Sequence, residues 1–226
     1  RHAEGLSVAI TDVTAAWGVL SLMGPRARDV LAKATSADVS NAAFPYLAAK
    51  EIEIGPARVR AQRVTYVGEL GWELYVPAEQ MAAVHTILWN AGQDHGLRHA
   101  GYHALDSLRI EKGYRHWGHD IGLEDTPLEA GLGFTVAFDK GDFIGKRAVS
   151  DQRNRRLTKR LVQFVLNDAE PLLHHDEPIW RNGRMVGRLT SGNYGHFIGR
   201  ATGLGYVKDA EGIDAAYIEA QGFEIE

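Results

Sequence analysis

The sequence predicts an α+β fold, in which a ferredoxin-like part built of strands and helices is followed by a small antiparallel β barrel. Three observations predict it. Short alternating apolar runs occur in both halves of the chain; apolar residues three and four apart mark helices before residue 113; and from residue 161 onward strand-like runs follow one another between turn pairs.

Taken in order, residues 6–14 and 17–23 alternate and read as two strands, after which Gly24-Pro25 breaks the pattern and starts a helix over residues 25–32. Val30, Leu31 and Ala32 lie on its apolar side. Residues 49–54 and 57–64 form a hairpin across Gly55-Pro56, and residues 71–76 form a third strand after Gly68-Glu69-Leu70. A second helix over residues 78–90 presents Met81, Val84, Ile87 and Leu88 and ends at Gly92; a third, over residues 102–112, carries Leu105, Leu108 and Ile110 and stops at Gly113. The later strands fall at residues 161–166, 177–181, 185–190, 203–207 and 215–220, with Asn182-Gly183 and Ser191-Gly192 as turns. These patterns divide the chain into a domain over residues 1–156 and a barrel over residues 157–226. Near the junction, residues 153–160 hold five basic side chains in eight, which read as a solvated helix end and linker or as a contact for an anionic ligand tail.

A net charge of −4 gives no basic footprint for nucleic acid or an anionic membrane. The absence of cysteine excludes disulfides, thiolate metal sites and cysteine nucleophiles, and it fits a reducing compartment: the cytoplasm, or the mitochondrial matrix in a eukaryote. No apolar run reaches the ~20 residues of a membrane span. A chain that opens on Arg1 without a signal-peptide pattern is expected to be a piece of a longer protein.

Gly141-Asp-Phe-Ile-Gly145-Lys146 has three residues between its glycines and Arg147 after the lysine, so it lacks the spacing of a phosphate loop. His116-Trp-Gly-His119-Asp120 and His174-His-Asp-Glu177 contain metal-ligating atoms without a metal-site spacing, and solvated or packed histidines are the better account. In the hairpin ending Gly71-Trp-Glu-Leu-Tyr-Val-Pro77, Glu73 and Tyr75 share one strand face while Trp72, Leu74 and Val76 share the other. Glu73 is therefore either salt-bridged or solvated, or it grips the N–H-rich edge of a heterocycle with a tyrosine ring beside it. On the third helix, Asp106 and Arg109 are three apart and can pair.

At these residues the chain resembles the aminomethyltransferase (glycine cleavage T-protein) superfamily, and within it the folate-binding C-terminal region of dimethylglycine and sarcosine dehydrogenases. Seven blocks in the family's order carry the resemblance. They begin at Leu20-Ser-Leu-Met-Gly-Pro25, Thr65-Tyr-Val-Gly-Glu-Leu-Gly-Trp-Glu-Leu-Tyr-Val-Pro77 and Ser107-Leu-Arg-Ile-Glu-Lys-Gly-Tyr-Arg-His-Trp117. They continue through Asp125-Thr-Pro-Leu-Glu-Ala-Gly-Leu132, Asp142-Phe-Ile-Gly-Lys146 and Thr190-Ser-Gly-Asn-Tyr-Gly195 to Gly203-Leu-Gly-Tyr-Val207.

The resemblance implies a tetrahydrofolate pocket in which Glu73 is the pterin-gripping carboxylate, Tyr66 and Tyr75 are flanking contacts, and Tyr114 belongs to the same wall. The T-protein pattern has a basic residue where this chain has Leu105, and Arg109 or Arg115 stands as its substitute. In this branch an upstream flavin (FAD) domain oxidises an N-methyl amine, and tetrahydrofolate captures the one-carbon unit as methylene-tetrahydrofolate. The family's catalytic aspartate lies before the hairpin; the only acids ahead of Gly24 here are Glu4 and Asp12, neither in a matching context. No catalytic residue is therefore assigned, and the chain alone is expected to be inactive. The expected partners are folate, a small one-carbon donor and the flavin domain; a glycine-cleavage aminomethyltransferase and a non-catalytic folate-binding helper are the alternative readings.

Overall fold

The structure is a computed structural model that describes residues 5–220 and 222–226; Glu4 lies outside the described residues. The chain divides into two units, Arg1–His99 and Ala100–Glu226. No helix among the described residues is long and apolar enough to cross a membrane.

In the first unit the alternating segments pair into a four-stranded sheet made of β1 (Trp17–Met23), β2 (Ala49–Ile54), β3 (Ala57–Gln62) and β4 (Gly71–Pro77). The order is β1-β4-β3-β2, and each neighbouring pair is antiparallel. Helices α1 (Ala27–Ala34) and α2 (Met81–Gly92) supply Val30, Leu31, Val84 and Leu88 to a core completed by Ile52, Ile54, Val59, Trp72, Leu74 and Val76. Period two on the strands and period 3.6 on the helices thus bury one face of each. On α1 the helix runs two residues further than expected and buries Ala34, while Ala32 faces out.

Residues 6–14 do not form the first expected strand. They find no partner strand among the described residues, and their apolar side chains stay in solvent, Ile10 being 94% exposed. An unpaired segment lacks the ladder hydrogen bonds that would hold it extended. A 3₁₀ turn at Thr14–Ala16 leads directly into β1.

The second unit contains α3 (Tyr102–Glu111), α4 (Lys146–Arg153) and a five-stranded antiparallel sheet, β5 (Lys159–Val165), β6 (Pro178–Arg181), β7 (Arg184–Gly195), β8 (Arg200–Lys208) and β9 (Phe223–Ile225). The order is β5-β8-β7-β6-β9; the edge strands β5 and β9 do not pair with each other, so the expected barrel is an open sheet among the described residues. Asn182 and Gly183 make the β6–β7 turn with φ of 50° and 72°, the left-handed pair a tight hairpin needs.

Two expectations fail here. Ser191-Gly192 is not a turn: it continues β7 past a bulge between Leu189 and Ser191. Residues 215–220 are not a strand, because the Asp214 side chain accepts a hydrogen bond from the Tyr217 N–H and starts a short helix, α5 (Ala215–Glu219). The last strand comes after it, as β9. On α3 the inward face is polar: Ser107 and Arg109 are buried beside Ile110, while Leu108 faces out.

Candidate functional site

The face of the first sheet opposite α1 and α2 holds Glu73 and Tyr75, two of the residues singled out in the sequence. Strand register sets them in rows, because directly opposed residues in antiparallel strands point to the same side. One row is Ser21, Glu73 and Gln62; the next is Val19, Tyr75 and Arg60. Their chain neighbours Leu20, Leu74 and Ala61 point the other way, into the core.

Within the first row, Glu73 is half-buried and one of its oxygens, Oε2, accepts a hydrogen bond from the Tyr75 hydroxyl at 3.0 Å. Burial, then the Glu73 hydrogen bond and charge, push the Tyr75 hydroxyl above its ordinary pKa. Tyr75 therefore remains a donor at neutral pH. The other Glu73 oxygen, Oε1, has no hydrogen-bond partner among the described residues. A half-buried carboxylate with one oxygen fixed and one open is an acceptor prepared for a donor that the chain does not itself supply.

Tyr75, though not Glu73, lines a cavity of about 390 Å³ together with Arg60, Trp17, Thr14 and Asp12. Its size falls in the range of small-molecule sites, roughly 300–1,000 Å³. The cavity brings in Asp12, which sequence reasoning set aside. Asp12 Oδ1 accepts hydrogen bonds from the Thr14 N–H at 2.9 Å and hydroxyl at 2.6 Å, and these hold its carboxyl below the ordinary carboxylate value. Arg60 was missed as well, because only the β3–β4 register places it opposite Tyr75. Asp-x-Thr at residues 12–14 was the one local signal, as a hydrogen-bonded turn motif.

Tyr66 is half-buried in the loop of residues 63–70, between β3 and β4. Arg109 and Tyr114 belong to the second unit. Arg109 is only 3% exposed and donates to Asp106 at 3.1 Å, Asp120 at 2.5 Å, the Tyr114 carbonyl at 3.2 Å and the Ser191 hydroxyl at 2.8 Å. Four of its five N–H donors are thereby used inside the unit. The Asp106 pairing is the one that helical spacing predicted. Arg115, the other candidate to replace a base at Leu105, donates to the carbonyls of Ala130 and Gly113. Asp120 belongs to the Arg109 network, so the cluster from His116 to Asp120 is tied together by hydrogen bonds to protein groups.

The chain matches the GCVT N-terminal domain family over residues 1–140 and the glycine cleavage T-protein C-terminal barrel domain over residues 159–226. It is 47% identical over 205 residues to 4-methylaminobutanoate oxidase (formaldehyde-forming) of Paenarthrobacter nicotinovorans, covering 90% of this chain and 25% of that protein. It is 43% identical over 196 residues to mitochondrial sarcosine dehydrogenase of Homo sapiens, covering 86% of this chain and 21% of that one. The chain thus spans about a quarter of the length of these curated relatives. The crystal structure of glycine cleavage system aminomethyltransferase T from Bartonella henselae superposes with a TM-score of 0.74 at 26% identity, over 85% of this chain and 52% of that chain.

Proposed function

We propose, for a chain that belongs to the glycine cleavage T-protein family, that it is the tetrahydrofolate-binding, aminomethyltransferase-like portion of a flavin-dependent N-methyl amine dehydrogenase of the dimethylglycine or sarcosine type. The observation that carries the proposal is the Glu73–Tyr75 hydrogen bond on the sheet face, with Tyr75 also lining the adjoining cavity. The pterin edge offers two adjacent N–H donors, and Glu73 offers one oxygen oriented by Tyr75 and one still open.

Bound tetrahydrofolate would supply the nitrogen that takes up a one-carbon unit as methylene-tetrahydrofolate. The chain's own part is to bind and orient. Glu73 accepts from the heterocycle edge, Tyr75 holds that carboxylate in one rotamer, and Trp17 and Tyr75 give the cavity aromatic walls. Arg60 sets a cation and Asp12 an ionised carboxylate at the rim. Tyr66 is assigned to the same pocket. In the second unit, Arg109 and Tyr114 are assigned as folate-binding residues, and Arg109 fixes the Tyr114 carbonyl. Oxidation of the amine falls to an FAD-binding part outside this chain, with which it makes contact, in the cytoplasm or the mitochondrial matrix.

A glycine-cleavage aminomethyltransferase is the second reading, and Leu105 in place of that family's basic residue weighs against it. The experiment is a tetrahydrofolate titration followed by tryptophan fluorescence. Trp17 lines the cavity, whereas Trp72 is fully buried on the opposite face. Trp17→Phe is expected to remove most of the response and Trp72→Phe to leave it; the reverse would move the ligand away from this face.

A further inference from the structure

We propose that the second unit carries a separate binding site for small polyanions, with paired phosphate or carboxylate oxygens as the recognised chemistry. It lies where the end of α4 and the linker to β5 meet the turn before α5, around a cavity of about 510 Å³. Four arginines line it: Arg153, Arg155, Arg156 and Arg160.

The ordinary explanation for such a run is a solvated linker. Three features go beyond it. Four arginine residues line one concavity, and like charges gathered there repel one another unless something answers them. No carboxylate does so: among the described residues none of the four has one within 4.0 Å. The one acid on the lining, Asp214, already accepts the Tyr217 N–H as the cap of α5.

The arginines are also positioned. Arg156 packs so closely on Gly212 that a Cβ there would stand 3.0 Å from its stem, and its Nη1 donates to the Glu211 carbonyl at 3.2 Å. Arg153 lies over the Phe138 ring at 4.4 Å. Buried Ile213 and half-buried Leu157 line the same cavity, and apolar walls lower the local dielectric and strengthen each ion contact. Guanidinium forks match oxyanions two oxygens at a time, so several of them favour a ligand bearing more than one anionic group.

Isothermal titration of the 226-residue chain at low salt, with tripolyphosphate and citrate as separate probes, tests the site. The expected result is one-to-one binding of at least one probe, weakened about tenfold or more by Arg156→Gln/Arg160→Gln. The control Arg58→Gln/Arg147→Gln, at two exposed arginines that do not line the cavity, is expected to bind as the parent does. Binding of tripolyphosphate alone identifies a phosphate ligand, and binding of citrate alone a carboxylate one. Thermal melts check that each variant folds, and Arg155→Lys, which keeps the charge but loses the planar fork, is expected to bind more weakly than the parent and more tightly than Arg155→Gln. Failure of both probes to bind below about 10 mM, or equal weakening in the control, would overturn the site; multivalent charge pairing should be tighter than that at low salt.

Discussion

Asp120 is fully buried, and its two oxygens accept from Arg109, the His116 N–H and the Thr190 hydroxyl. Breaking such a pair leaves one buried charge unanswered, at a cost of about 3–5 kcal/mol. Asp120→Ala and Arg109→Ala should each therefore destabilise the chain by that order in urea unfolding, and a loss below about 1 kcal/mol would show the network to be incidental. Helical spacing revealed only the Asp106–Arg109 contact, because the partners at residues 120 and 191 are remote in sequence. Asp125 gives a pH prediction. Burial works to raise its carboxyl, but the Lys159 ammonium at 2.6 Å and the Gly122 N–H outweigh this and hold it below the ordinary value. A depressed folded-state pKa contributes stability that is present above the unfolded value, about 3.9, and is lost as pH falls through the folded one. The melting temperature should drop below about pH 4, and less steeply in Asp125→Asn.

At the scale of elements, β4 shows what alternation can tell. Its inward Trp72, Leu74 and Val76 and its outward Glu73 and Tyr75 follow the period of two, and the β2–β3 hairpin turns where Gly55 stands. Alternation cannot tell whether a partner strand exists, which is why residues 6–14 read as a strand and are not one. Nor could it anticipate that Asp214 would cap a helix. Glycine carries two different meanings in the second sheet. At Gly183 a Cβ would meet nothing within 4 Å but φ is 72°; at Gly192 a Cβ would stand 2.5 Å from the Leu173 backbone. Gly183→Ala should cost about 1 kcal/mol from backbone strain. Gly192→Ala should cost more, about 1–3 kcal/mol from overpacking. Equal melting temperatures would contradict the distinction.

For the whole molecule, motif order made the family legible before any contact was known, and it named Glu73 and Tyr75. It could not reveal Arg60 and Asp12 beside Tyr75 in one cavity, since the β3–β4 register sets Arg60 opposite Tyr75 and Asp12 reaches the cavity from outside the strands. A ligand site assembled across strands is read from pairing, and pairing is the part of a fold that local patterns leave open. In the proposed folate site Glu73 is the acceptor for a heterocycle edge. Glutamine at that position keeps the shape but replaces one acceptor oxygen with a donor and removes the charge. Isothermal titration of tetrahydrofolate into the parent chain and Glu73→Gln is the direct measurement. Loss of a charge-assisted hydrogen bond predicts affinity weakened by about 10- to 100-fold with the melting temperature nearly unchanged. Equal affinity in the two proteins would contradict the assignment.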